Sequence, residues 1–183
     1  MCNEYALEVS LDELLSQFAQ LQLPLAWEGG APNMEPRPSI RPTDPGYVIA
    51  GRDGGAQLAQ LRWGFPGPRG PVINFRSEGR SFGRGRCLVP ADAFFEFTGA
   101  KAPKSKWRFT PAEGSFLAIA GLIRDDRFTM LTCEPGPDIA PYHNRQIVIL
   151  PPEDCVRWLN PDLPPGEILG PLPAGRLHVE QIA

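Results

Sequence analysis

Phe116-Leu117-Ala118-Ile119-Ala120-Gly121-Leu122-Ile123, the charged turn Arg124-Asp125-Asp126-Arg127, and then Phe128-Thr129-Met130-Leu131-Thr132 decide the fold of this 183-residue chain. Two apolar runs of strand length are separated by four charged residues, which is a turn and leaves no room for a crossover helix. The expected pairing is antiparallel. Working outward, β-type runs recur at Tyr47–Ala50, Gln57–Trp63, Cys87–Val89, Trp107–Thr110 and Gln146–Leu150, broken by Gly, Pro and charged turns. That spacing suits antiparallel sheet and not repeated βαβ units.

Helical signals are few. Ser10-Leu11-Asp12-Glu13 fits a capping box, and Leu11, Leu14, Leu15, Phe18 and Leu21 then recur at helical spacing, so residues 11–22 are expected to form an amphipathic helix. Glu153–Leu159, opened by Pro151-Pro152, reads as a second short helix. Between them, Pro24 to Pro45 carries six prolines, each removing a backbone donor, and is expected to be an ordered surface loop without regular structure. The apolar content of 42% supports one core, and 19 Gly with 22 Pro make the chain loop-rich but folded. No stretch has the length of uncharged apolar sequence needed for a membrane span, and Met1-Cys2-Asn3-Glu4 lacks the features of a signal peptide. The expectation is a cytoplasmic protein with no membrane partner.

Cysteine spacing excludes the common zinc patterns. Cys2, Cys87, Cys133 and Cys155 form no C-x-x-C pair, and His143 and His178 add no ligand spacing, so neither metal nor cofactor is expected. Cys87, Cys133 and Cys155 lie in apolar stretches and are expected to pack in the core. Charge is uneven. The chain carries a net −3, yet residues 62–108 set ten basic side chains against three acidic ones, a local +7 that suggests an anionic partner on one face.

Four constellations carry chemistry. Cys2 follows the initiator, and removal of Met1 would leave an α-amine of pKa about 7.7–8.0 beside a thiol of about 8.5. Such a residue traps an aldehyde: the amine forms an imine and the thiol closes it to a five-membered thiazolidine. In Asn74-Phe75-Arg76-Ser77-Glu78, strand alternation would send Asn74, Arg76 and Glu78 to one face, with Arg76 suited to phosphate and Asn74 to a sugar hydroxyl or the N-terminal amine. Arg86 to Phe97 sets Glu96 among aromatics, where burial would raise its pKa and fit it for proton transfer. Pro141-Tyr142-His143-Asn144-Arg145 supplies a histidine beside an arginine just before a strand.

In order along the chain, Met1-Cys2, Asn33-Met34-Glu35-Pro36, Arg62-Trp63-Gly64, Asn74 to Glu78, Arg86 to Phe97, Thr129 to Thr132 and His143-Asn144-Arg145 resemble the blocks of the SOS-response-associated peptidase family. Its members are abasic-site processing proteins that crosslink to damaged single-stranded DNA through an N-terminal cysteine. The resemblance implies a single α+β domain over residues 1–183, with a mainly antiparallel β core closing toward a barrel and a few short peripheral helices. It implies that Cys2 is the nucleophile, Asn74 positions the N-terminus and the sugar, Glu96 moves protons, and His143 assists ring opening. Arg76 and Arg145 would hold phosphates, while Trp63, Phe97 and Pro36 would flank the lesion. The implied partner is single-stranded DNA containing abasic sites, met by a monomer. Ala93, Phe97, Phe75, Asn3 and Gln146-Ile147 depart from the family pattern of Gly, Trp, a small residue, Gly and Met-Pro. Two other readings of the same residues stay open at this stage, a Cys/His peptidase acting on other proteins and a non-covalent single-strand binding module.

Overall fold

The computed structural model describes residues 2–52, 54–114 and 116–183. In chain order the elements are β1 (Tyr5–Leu7), α1 (Leu11–Gln20), β2 (Leu25–Ala26), β3 (Arg37–Ile40), β4 (Pro45–Arg52), β5 (Gly55–Trp63), β6 (Asn74–Arg76), β7 (Arg86–Ala91), β8 (Ala93–Thr98), β9 (Ser105–Pro111), β10 (Leu117–Arg124), β11 (Arg127–Cys133), β12 (Gln146–Ile147), β13 (Ile149–Leu150), α2 (Pro152–Leu159), a 3-10 turn at Gly166–Leu169, and β14 (Leu177–Gln181). The architecture is α+β, dominated by sheet.

Two sheets form. One runs β14-β9-β8-β1-β3 and is wholly antiparallel, while the larger runs β12-β11-β10-β7-β4-β5-β2. The hairpin that opened the sequence argument pairs Ile123 with Phe128 and Arg124 with Arg127, as its charged turn requires. Strand β11 also meets the end of β5 in parallel, Arg127 against Arg62 and Phe128 against Trp63. This contact brings β5, β4, β7, β10 and β11 into a partial ring. Ring closure turns the inward side chains of both sheets onto one cluster, with Tyr5, Phe94 and Phe109 from the smaller sheet against Ile49, Leu88, Ile119 and Phe128 from the larger. Cys87, Cys133 and Cys155 are buried in it as free thiols.

The capping box is real: the Ser10 hydroxyl accepts from the Glu13 amide at 3.2 Å, and Leu14 and Phe18 bury the apolar face of α1. The helix stops at Gln20 and not at residue 22, because Gln22 turns into the left-handed region at φ 57°. The α2 helix starts at a proline, which spares an amide that would have no partner, and sinks Trp158 so that its Nε1–H donates to the Cys87 carbonyl at 2.8 Å.

Three expectations need correction. The Pro24–Pro45 stretch is not free of regular structure, since it holds β2 and β3 and ends in the first residue of β4. Strand β3 tolerates Pro38 because it is a sheet edge, pairing only with β1, so one side of its backbone owes no ladder bond. The expected single strand Gln146–Leu150 is two short ones, as the chain leaves β11 and crosses to β10. Strands β1, β8 and β14 carried no distinct run in the sequence reading, yet they build most of the smaller sheet.

Candidate active site

The site begins with β1, because the strand that follows Cys2 fixes where that residue lies. Tyr5 pairs with Phe94 and Ala6 with Ala93, and the same register carried outward sets Asn3 opposite Glu96. The Phe95 amide donates to the Glu4 carbonyl at 3.0 Å, so the ladder continues to the edge of the site. Cys2 is buried, and its thiol donates to the same Glu4 carbonyl at 3.4 Å. From the other side, β6 brings Asn74, whose Nδ2 donates to the Cys2 carbonyl at 2.8 Å. This hydrogen bond, to the Cys2 carbonyl and not to an amine, joins residues 72 positions apart in sequence.

Electrostatics at the site follow from burial. Desolvation, reinforced by the charge of Glu96, pushes the Cys2 thiol up to about 12. Burial also raises the Glu96 carboxyl above the ordinary range, as its aromatic sequence context suggested. His143 is half-buried and desolvation holds it below its usual pKa, so the imidazole is neutral at pH 7. Its Nδ1 lies 2.9 Å from the Arg145 amide nitrogen and 3.1 Å from the Arg145 carbonyl oxygen, so it accepts from the one or donates to the other according to the tautomer.

The turn carrying His143 is fixed between the two halves of the site. Tyr142 packs on Trp107 with centroids 4.6 Å apart, and Trp107 pairs with Glu96 across β8 and β9. Two residues beyond His143, the Arg145 guanidinium is bidentate to Glu78, with 2.9 Å between Nη2 and Oε2, and also donates to the Thr132 carbonyl at 2.9 Å. Thr132 in turn pairs with Arg76. Cys2, Asn74, Glu96, His143, Arg145 and Arg76 are thus gathered by β1, β6, β8 and the 139–145 turn. Arg76 is exposed, whereas Arg145 is engaged by Glu78.

Other expected site residues lie elsewhere. Trp63 does not flank an open surface: its ring is fully buried, edge-on to Tyr5 at 5.3 Å and stacked with Phe128 at 6.3 Å, and its Nε1–H donates to the Ile73 carbonyl at 3.0 Å. It sits at the β5–β11 junction, where ring closure turns its side chain into the core. Phe97 alternates with Glu96 and so projects from the other face of β8, packed on the small cluster of Ala6, Ala93 and Phe95. Pro36 is exposed at the start of β3. Loss of Met1 concerns a residue outside the described ones.

A supporting network was invisible in sequence. The buried Glu4 carboxylate accepts from Ser39 Oγ and from Lys106 Nζ, both at 2.8 Å, and the Lys106 ammonium lies 4.2 Å from the centroid of the Phe95 ring. Burial alone would raise the Glu4 pKa, but these two donors outweigh it and hold the carboxyl below its usual value. Strand β1 is thereby pinned two residues from Cys2. Nothing local signals this, since Glu4 and Lys106 are 102 positions apart.

Fold and site together define a β-sheet protein with a cysteine at its N-terminal edge, supported by an asparagine, a buried carboxyl and a neutral histidine. The family model for SOS response associated peptidase (SRAP) matches residues 1–183, and the chain belongs to that family. It is 28% identical to the abasic site processing protein YobE of Bacillus subtilis, covering 88% of this chain and 83% of that protein. It is 29% identical to the abasic site processing protein YoqW of the same organism, over 88% and 81%. A crystal structure of a protein from Bacteroides thetaiotaomicron shares the fold, with a TM-score of 0.76 at 16% identity over 100% of this chain and 92% of that one.

Proposed function

We propose that this protein processes abasic sites in single-stranded DNA by forming a covalent thiazolidine between Cys2 and the ring-opened sugar, after removing its own Met1. The observation that carries the reading is the hydrogen bond from Asn74 to the Cys2 carbonyl, which holds the first residues of the chain beside the buried carboxyl of Glu96. Family membership and the names of the relatives support the same substrate class.

The chemistry is a condensation. The freed Cys2 amine attacks the C1 aldehyde to give a carbinolamine, which loses its hydroxyl as water and becomes an imine. The thiol then adds to the imine carbon while its proton passes to the nitrogen, so the only leaving molecule is one water. Burial favours the protonated form of Glu96, which suits it to give a proton to the departing hydroxyl and to take one back from the attacking amine. Asn74 Oδ1, buried and without a hydrogen-bond partner among the described residues, is suited to accept from that amine. In this reading His143 takes the Nε2–H tautomer, with Nδ1 accepting from the Arg145 amide, and donates to the sugar oxygen released on ring opening. A thiol pushed up to about 12 fits a second, ring-closing step and is a poor thiolate for attacking peptide bonds in other proteins.

The test is intact mass after incubation with an oligonucleotide bearing one abasic site. The expected product has the summed mass of the oligonucleotide and the chain starting at Cys2, less one water, and survives heating. Absence of that product from protein shown to begin at Cys2 overturns the proposal.

A further inference from the structure

Strand β6 has two faces. Asn74 and Arg76 alternate with Phe75, so the ring of Phe75 leaves the strand on the side away from Cys2. There it lines an open groove of about 470 Å³ that also takes in Phe65, Arg80, Arg84 and Arg124. Two guanidinium groups lie on aromatic rings in this groove: Arg80 is 4.6 Å from the centroid of Phe75, and Arg124 is 4.7 Å from that of Phe65. All three arginines are exposed, and none forms an ion pair among the described residues. The carboxylates nearest in sequence are otherwise disposed. Glu78 binds Arg145, Asp126 lies 3.8 Å from Arg127, and Asp125 occupies the β10–β11 turn.

The groove is built, since the loop that carries Arg80 and Arg84 is anchored at its end. Gly85 adopts φ 72°, and its carbonyl accepts from the Ile123 amide at 2.6 Å, a fit so close that a Cβ at Gly85 would collide with the Ile123 carbonyl. Phe82 is wedged between Phe75 and Trp158, at 6.4 and 6.0 Å between centroids, and its carbonyl accepts from Arg86 Nε. The arginines therefore project from a fixed frame that starts one residue from Asn74.

We propose that this groove is the track for the single-stranded DNA that flanks the abasic site. This rests on the function proposed above and deepens it. Guanidinium groups held over phenyl rings, 4.6 and 4.7 Å from the centroids, form cation–aromatic platforms on which a base of any identity stacks, and uncompensated positive charge follows the phosphates. Alternating stacking platforms and cations match a polymer of alternating bases and phosphates better than they match a lone anion. Two of the ten basic residues of 62–108, Arg80 and Arg84, line this groove, and Arg124 joins them from the neighbouring hairpin.

The experiment separates this track from the chemistry at Cys2. In a Cys2→Ala background, which binds without crosslinking, anisotropy is read for an oligonucleotide with about ten nucleotides on either side of the abasic site and for versions trimmed to about two on one flank or the other. The expected result is that trimming one flank weakens binding about tenfold, and that the Arg80→Gln/Arg84→Gln/Arg124→Gln variant loses this difference. Each phosphate contact contributes about 0.7 to the salt slope on a single strand, so three lost contacts flatten the slope by about 2. With Cys2 intact, the same variant reaches the wild-type adduct rate at saturating DNA. Unchanged length dependence and salt slope in a folded triple variant, or no length dependence in the parent, overturn the groove. Failure of wild-type protein to form any adduct overturns the proposed function instead.

Discussion

Replacing Lys106 by Met keeps an unbranched apolar side chain and removes the ammonium that holds Glu4 and lies over the Phe95 ring. The Glu4 side chain is 6% exposed and that of Lys106 22%, so the pair is largely desolvated on the carboxylate side. Stripping one partner from a buried ion pair costs about 3–5 kcal/mol, and the partial exposure of Lys106 with the remaining Ser39 donor brings this to about 2–3 kcal/mol. For a chain of this size that is a fall in Tm of roughly 5–10 °C. The pH dependence has a definite sign. Glu4 has a folded pKa below its unfolded one, so its share of stability is present above the ordinary carboxylate pKa and is lost as pH falls through the lowered value. The Lys106→Met penalty is therefore full at pH 7 and shrinks as pH falls below the ordinary carboxylate pKa of about 4.3. A double-mutant cycle with Glu4→Gln, followed by calorimetry from pH 3 to 7, measures the coupling. A penalty of under about 1 °C at pH 7, or one that persists unchanged in the Glu4→Gln background, refutes the pinning of β1 by this pair.

Trp63→Ala is expected to destabilise the fold by about 3–5 kcal/mol in chemical denaturation, because it empties a fully buried site and removes one of the two donors to the Ile73 carbonyl, leaving the Met130 amide. A Trp63→Ala protein of wild-type stability that fails only in DNA binding would falsify its assignment to the core. Glu96→Gln is expected to slow adduct formation by about 10²–10⁴ under rapid-quench conditions. Because burial raises the Glu96 pKa, wild type loses stability as pH rises from the ordinary carboxylate pKa through the raised one, and Glu96→Gln removes that loss, which a Tm–pH profile reads. His143 has the opposite slope. Its lowered pKa means that the unfolded chain binds protons first, so stability drops as pH falls below about 6.5, and His143→Gln flattens that limb while slowing adduct formation. Gly46→Ala is expected to cost more than about 2 kcal/mol, since the new methyl meets the Tyr5 hydroxyl and sits 3.1 Å from Phe128 in the ring interior.

Where periodicity and turn chemistry act over a few residues, the sequence by itself was sufficient. The Ile123–Phe128 hairpin, the Ser10 cap, the proline start of α2 and the burial of three cysteines all follow from local patterns. The candidates for the site were named the same way, because Cys2, Asn74, Glu96 and His143 stand in ordered blocks of chemistry-bearing residues. What tertiary structure decided is which of them meet and which aromatic rings are available. Trp63 and Phe97 look alike as candidate stacking residues, yet the β5–β11 closure turns one into the core, and alternation on β8 turns the other away from Glu96. Strand β3 escaped the sequence reading because a proline reports only a missing donor, and whether that donor was needed depends on which sheet edge the strand occupies. The Glu4–Lys106 pair and the Arg124–Phe65 contact of the groove join residues far apart in the chain. Such contacts have no local signature, since a charge or a ring acquires its partner only when strand register brings distant segments within a few ångströms.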